Sequence, residues 1–179
     1  MHVQTHVMSG WCIANLFRLS PRQRLMSMIA ASIADLDGLS ILAGQEAYWN
    51  WHHRLCHNLP FGLLACIILA LVSRARLPVF FLYLGLFHLH LLMDVFGSGP
   101  GWPIYYFWPF SNWIIDNRHL SWEFYSWQNI SIAIPFFVWT VGIAIYKGRT
   151  PLEVPMPRLD RQLVTWFEGR FRKRSARGH

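Results

Sequence analysis

The sequence predicts an all-α integral membrane protein: a bundle of about five hydrophobic helical segments with a basic amphipathic helix at its C-terminus. Three observations carry this. Of 179 residues, 54 % are hydrophobic and only 14 % charged, and 10 are tryptophan, a residue that concentrates at bilayer interfaces. Apolar runs near 77–96 and 129–146 approach or reach the ~20 residues that cross a bilayer. Arginine and lysine gather between alternate segments, the pattern of cytoplasmic loops. The three cysteines (Cys12, Cys56 and Cys66) are odd in number and form no CxxC, so neither a disulfide framework nor a zinc knuckle follows. The first ten residues lack the basic start and apolar core of a cleavable signal, so insertion is expected to use the retained hydrophobic segments.

In chain order, Trp11 to Phe17 is a short apolar segment expected to be helical. Ser20-Pro21 marks a break and a new helix start before a second segment, Leu25 to Ala34. Gly38 is the expected helix stop, and Ser40 to Gln45 is expected to be a loop. Both segments are shorter than a span. An aromatic and histidine cluster, Tyr48 to Asn58, leads into the apolar run Leu59 to Val72, with Pro60 at a helix start or kink. The run from Leu77 to Phe96 ends in His88-Leu-His90-Leu-Leu-Met-Asp94. Gly97 to Gln128, rich in Gly, Pro and aromatics, is a long connection of the kind that forms lids and binding rims. Asn129 to Tyr146 is the last apolar segment. Residues 149–179 form a basic tail on a membrane-embedded unit, 1–148. Within the tail, Leu159, Leu163, Phe167 and Phe171 share one helical face over 157–174 with arginines off it. That pattern fits an anionic membrane surface better than nucleic acid, which is not expected as a partner.

The arginine clusters at 18–24, at 74–76 and after 147 place their segment ends in the cytoplasm, so the opposite ends face the other side. Those opposite ends carry His6, then Asp35 and Asp37, then His52, His53 and His57, then His90 and Asp94. Imidazole and carboxylate together suit zinc and neighbouring divalent metals, and in a membrane such groups read as functional. His90 and Asp94, and likewise His53 and His57, are spaced to share a helix face; His52 is turned away by about 100°. His119 and Glu123 form another such pair in the long connection and are candidate extra ligands, as is His52. Arg54 and Arg118 are candidates for clamping an anionic substrate. His88 lies on a different face from His90. His2 and His179 are expected to be solvated, and the aromatic residues to be interfacial anchors.

These residues resemble the YdjM-type membrane-bound metal-dependent hydrolases. The shared pattern is Thr5-His6 with Gly10, Asp35-Leu36-Asp37, His53-Arg54 with His57, His90 to Asp94, and Trp108-Pro109-Phe110. The sequence departs from it in having Ala34 where proline is usual and Asn58 where serine is. A shorter spacer leaves either His52 or His53 as the first histidine. The resemblance implies a multi-metal site cutting phosphoesters, through a distant similarity to zinc-dependent phospholipase C and the S1/P1 nucleases. Together with the residue pattern it gives the expected function: hydrolysis of an ester or phosphoester of a lipid or lipid-linked substrate by metal-activated water. The metal is a divalent ion, zinc first, one or more. His6, His53, His57, His90 and Asp94 are the expected ligands; Asp35 and Asp37 are ligand and general base in an order left open. The expected location is a bacterial-type inner membrane, multi-pass, with the site extracytoplasmic and the C-terminus cytoplasmic. The alternatives are a membrane di-iron oxidase or hydroxylase, and a non-enzymatic metal-binding protein. HExxH, Walker A and GxSxG motifs are absent.

Overall fold

The computed structural model describes residues 1–172. Its order is α1 (Val3–Ala14), α2 (Pro21–Ala30), a 3-10 segment (Ile33–Ala43), α3 (Gln45–Trp51), α4 (Leu59–Val72), α5 (Leu77–Gly97), α6 (Trp127–Lys147) and α7 (Pro157–Phe167), followed by a π-helical turn (Glu168–Arg172). No strand forms among the described residues; Ile104 and Ile115 make an isolated antiparallel bridge within the long connection.

The helix starts follow local chemistry. Ser20 caps α2 in a reciprocal box: Gln23 N–H donates to Ser20 Oγ (3.2 Å), Ser20 N–H donates to Gln23 Oε1 (3.0 Å), and Pro21 opens the first turn. Asn58 caps α4 by accepting from Phe61 N–H (2.8 Å), with Pro60 in the first turn, so Pro60 begins the helix rather than kinking it.

Among the described residues, only α5 and α6 are individually long and apolar enough to cross a membrane; α2 and the 3-10 segment form one further candidate, bent by 53°. The five expected hydrophobic segments are all at least partly helical, and two or three of them are candidate spans among the described residues. At 1.5 Å per residue, the 12 residues of α1 reach about 18 Å, well short of a ~30 Å hydrocarbon core. The first segment also runs earlier than expected, leaving Leu16 and Phe17 exposed beyond its end. Helical turns continue through Gly38 and Ser40, where a stop and a loop were expected. The chain instead breaks at Gly44, whose φ of +112° favours glycine.

The main core lies between α2, α4 and α5, with Met26, Ala30, Cys66, Leu69, Tyr83 and Phe87 at its centre. A smaller cluster joins Trp11 and Cys12 of α1 to Ile143 of α6. α6 leaves Ile134, Phe137 and Val138 exposed, the surface expected of a lipid-facing span.

One end of the bundle gathers the basic loops. Arg24 makes a two-point ion pair with Glu153 (2.6 and 2.8 Å), Lys147 bonds the Asn15 carbonyl, and Tyr83 Oη donates to the Gln23 carbonyl (3.3 Å). The tail helix is confirmed over Pro157–Phe167; residues 173 and 174 of its expected range lie outside the described residues, as does His179.

α1 crosses α2 at Gly10, where a Cβ would sit 2.7 Å from the Ser27 carbonyl oxygen and 2.8 Å from Ala31 Cβ. This contact brings His6, one turn earlier, to the end of α2. Gly10→Val is therefore expected to destabilise the solubilised protein by roughly 1–3 kcal/mol through overpacking. Gly85→Ala, where a methyl meets nothing within 4 Å, should be neutral or slightly stabilising. Equal melting temperatures for Gly10→Val and wild type would show that the crossing is not tight.

A buried imidazole and carboxylate cluster

At the other end, groups from α1, the 52–58 turn and α5 itself converge on Asp94 in the last turns of α5. One carboxylate oxygen faces His6 Nε2 at 3.2 Å; the other faces His57 Nε2 at 3.1 Å and His90 Nε2 at 2.9 Å. The Met1 amino group also lies against Asp94, and 3.0 Å from Ser98 Oγ. His6, His53, His57, His90 and Asp94 are all buried.

Each of three imidazoles is held by its other nitrogen. A carbonyl oxygen can only accept, so His90 Nδ1–H must donate to the Ala31 carbonyl (2.8 Å) and His53 Nδ1–H to the Trp102 carbonyl (3.2 Å). His57 Nδ1 bonds Asp37 Oδ2 at 2.9 Å. Fixing Nδ1 in this way sets the tautomer that leaves Nε2 available, the arrangement found around metal-ligating histidines.

With Nδ1 protonated, a neutral His90 presents a lone pair at Nε2 to an Asp94 oxygen 2.9 Å away and to His57 Nε2 at 3.1 Å. Such crowding of acceptors needs positive charge. Burial alone would lower the pKa of His57, but its bonds to Asp37 and Asp94 outweigh burial and push it up to about 10. His53 is held well below the usual imidazole range by burial and by neighbouring His57.

Two overlapping groups can offer an ion atoms within 4.8 Å of one another: His6, Asp35, His90 and Asp94, and beside them His53, His57 and Asp94. The donor set, imidazole nitrogen with carboxylate oxygen, fits zinc and similar divalent metals. A third group, Asp37 with His52 and His57, also meets this distance, but its contacts are already direct hydrogen bonds.

The two aspartates differ. Asp37 is buried and fully engaged: Oδ1 with His52 Nδ1 (2.7 Å), Oδ2 with His57 Nδ1 and with Cys56 N–H (3.1 Å). Asp35 lies 3.7 Å from His90 Nε2 through Oδ1, has no partner for Oδ2, and lines a cavity of about 280 Å³. His52, His53 and Asp94 share that cavity, with Tyr48, Trp102, Phe124 and Tyr125 as aromatic walls.

Other sequence candidates fall elsewhere. His53 and His57 do not share a helix, because α3 ends at Trp51 and His53 takes a left-handed φ of 63°; their rings nevertheless stack at 4.3 Å. Arg54 lies over the Tyr105 ring, 4.3 Å from its centroid, and does not line the cavity. Arg118 is exposed and paired with Asp116 at 2.7 Å. His119 and Glu123 lie in non-helical, exposed backbone, outside the metal-competent groups among the described residues. His2 is half-buried against Phe124 rather than solvated. His88 faces away from the cluster: its Nδ1–H donates to the Leu84 carbonyl (2.8 Å), so Nε2 accepts from Tyr106 Oη (2.9 Å), which ties the long connection to α5. Sequence reasoning missed the Ala31 and Trp102 carbonyls and the individual aromatic walls. Only the character of 97–128 as a binding rim hinted at the walls.

No curated protein and no solved structure matches this chain. The family model described as YdjM inner membrane protein matches residues 1–156, which takes in the whole cluster, all of α1 to α6 and the start of the tail. The chain belongs to the YdjM inner membrane protein family.

Proposed function

We propose that the protein is a membrane-bound, metal-dependent hydrolase acting on an ester or phosphoester of a lipid or lipid-linked substrate. The observation that carries this reading is the set of buried histidines whose Nδ1 atoms are fixed by Ala31, Trp102 and Asp37, around a shared Asp94. His6, His90 and Asp94 would hold one divalent ion, zinc first, and His53 and His57 a second, with Asp94 common to both groups. An ion held there supplies Lewis acidity and brings the pKa of water towards ~7.

The chain's own residues do the rest. Asp37 orients His52 and His57 and is too engaged to take a proton. Asp35, with an unpartnered oxygen at the cavity, is the carboxylate placed to act as ligand or general base. The aromatic walls restrict water and give an apolar bed to a lipid-borne group. Arg54 and Arg118 have no part in this scheme, since neither lines the cavity. The arginine distribution supports a cytoplasmic basic end and an extracytoplasmic site.

Purified protein is expected to carry at least one divalent ion by elemental analysis, and His90→Ala or Asp94→Ala should lose most of it. Full metal content in both variants would sink the site. Bound iron with redox-active colour would move the assignment to an oxidase. Metal without turnover on a broad phosphoester and acyl-ester panel would move it to a binding protein.

The aspartates should separate in a paired measurement. Asp35→Asn should keep most of the metal and lose turnover. Asp37→Asn should weaken metal affinity by roughly 10–100-fold, as expected when a carboxylate behind a ligating histidine is removed. The reverse outcome would exchange the two roles.

For topology, a reporter fused after His179 should read cytoplasmic and one inserted beside Ser98 extracytoplasmic. The same side for both would refute the orientation.

A further inference from the structure

The tail helix α7 carries none of the clustered imidazole and carboxylate groups. Leu163 and Phe167 of the expected apolar stripe are half-buried, and Val164 approaches Gly148 at the end of α6. The helix is clamped in place: Asp160 Oδ1 accepts from both Thr150 N–H (2.7 Å) and Thr150 Oγ1 (2.8 Å), and Glu153 in the same connection pairs with Arg24. α7 therefore packs much of its stripe on its own protein. The face left open is a shallow cleft of Arg158, Arg161, Gln162, Thr165 and Trp166, at i, i+3, i+4, i+7 and i+8.

We infer that this open face of α7 is a binding surface for the phosphate headgroups of an anionic phospholipid bilayer. Position supports it, because α7 is clamped to the end of the α6 span, where the bilayer surface lies. Charge supports it: Arg158 and Arg161 are both exposed, and arginine suits phosphate oxygens. The neighbouring apolar groups agree as well, since Trp166 is 60 % exposed and Met156 and Leu159 stand open beside the arginines. A tryptophan beside arginines matches the interfacial zone better than bulk water. The surface is independent of the metal cluster, which sits at the opposite end.

The test is hydrogen exchange of residues 158–167 in the full-length protein, reconstituted in nanodiscs of phosphatidylcholine with or without phosphatidylglycerol. Phosphatidylglycerol should slow exchange by about fivefold per arginine engaged, and added salt should reverse it. Arg158→Glu with Arg161→Glu should abolish the difference, and the paired lysine variant should retain most of it. Unchanged exchange in the Leu152 to Met156 segment of the Glu variant would show that the clamp is intact. Equal exchange in both lipid compositions would overturn the proposal. So would equal protection in phosphatidylcholine by inorganic phosphate, which would assign the cleft to a free anion, or protection only by an added RNA oligonucleotide.

Discussion

The structure depends on one buried carboxylate. Asp94 is 1 % exposed, yet it sits among His6, His57 and His90 and against the Met1 amino group. Withdrawing a carboxylate from water costs several kcal/mol unless positive charge and hydrogen bonds compensate. The compensating groups come from the N-terminal segment with α1, from α5 itself and from the 52–58 turn, so all three must be in register for Asp94 to be tolerated. Gly10 lets α1 come close, and Gly97 does the same at the end of α5, where a Cβ would lie 2.5 Å from Asn129 Oδ1. The cluster is thus both the most costly feature of the bundle and the one that specifies how its ends meet.

How much of this the sequence revealed depends on what kind of signal each residue sends. His90 and Asp94 were legible because one continuous helix joins them and helical spacing then dictates a shared face. Charge placement gathered the other candidates at one end, although it says nothing about helix length; the apolar runs gave five hydrophobic segments, the first two short of a span, and two or three candidate spans are found among the described residues. His53 and His57 meet for a reason spacing could not supply: His53 leaves the helical region of backbone space altogether, a conformation costing about 1–2 kcal/mol for a non-glycine residue. The distinction between Asp35 and Asp37 was also hidden, because it rests on which oxygens are already bonded. Arg118 shows the limit of residue-type reasoning, since Asp116 two positions earlier takes up its guanidinium.

The departures from the family pattern become small once the geometry is known. Asn58 does what serine does at the start of a helix, accepting from Phe61 N–H, and its amide also bonds the Arg54 and Leu55 carbonyls (2.8 and 2.9 Å), fastening the histidine turn. Ala34 is the second residue of the 3-10 segment, where an N–H has no partner within the helix, so proline and alanine are both accommodated.

The break after α2 explains why so irregular a backbone is placed here. A continuous helix through residues 31–43 would bond the Ala31 carbonyl internally. Because α2 ends at Ala30 and the chain turns by 53°, that carbonyl is free to accept His90 Nδ1–H, and the turn itself delivers Asp35 and Asp37. Unsatisfied backbone facing lipid would be prohibitive, but backbone that lines a polar site is tolerated because side chains satisfy it. The bend therefore serves the cluster twice: it exposes the acceptor that fixes one histidine, and it carries the carboxylate that fixes another. A straight span at this position would be more stable in isolation and would leave His90 and His57 with nothing to hold their Nδ1 atoms. The irregularity of the second segment, which made it the hardest to read from sequence, is the feature that makes a cation site at Asp94 physically possible.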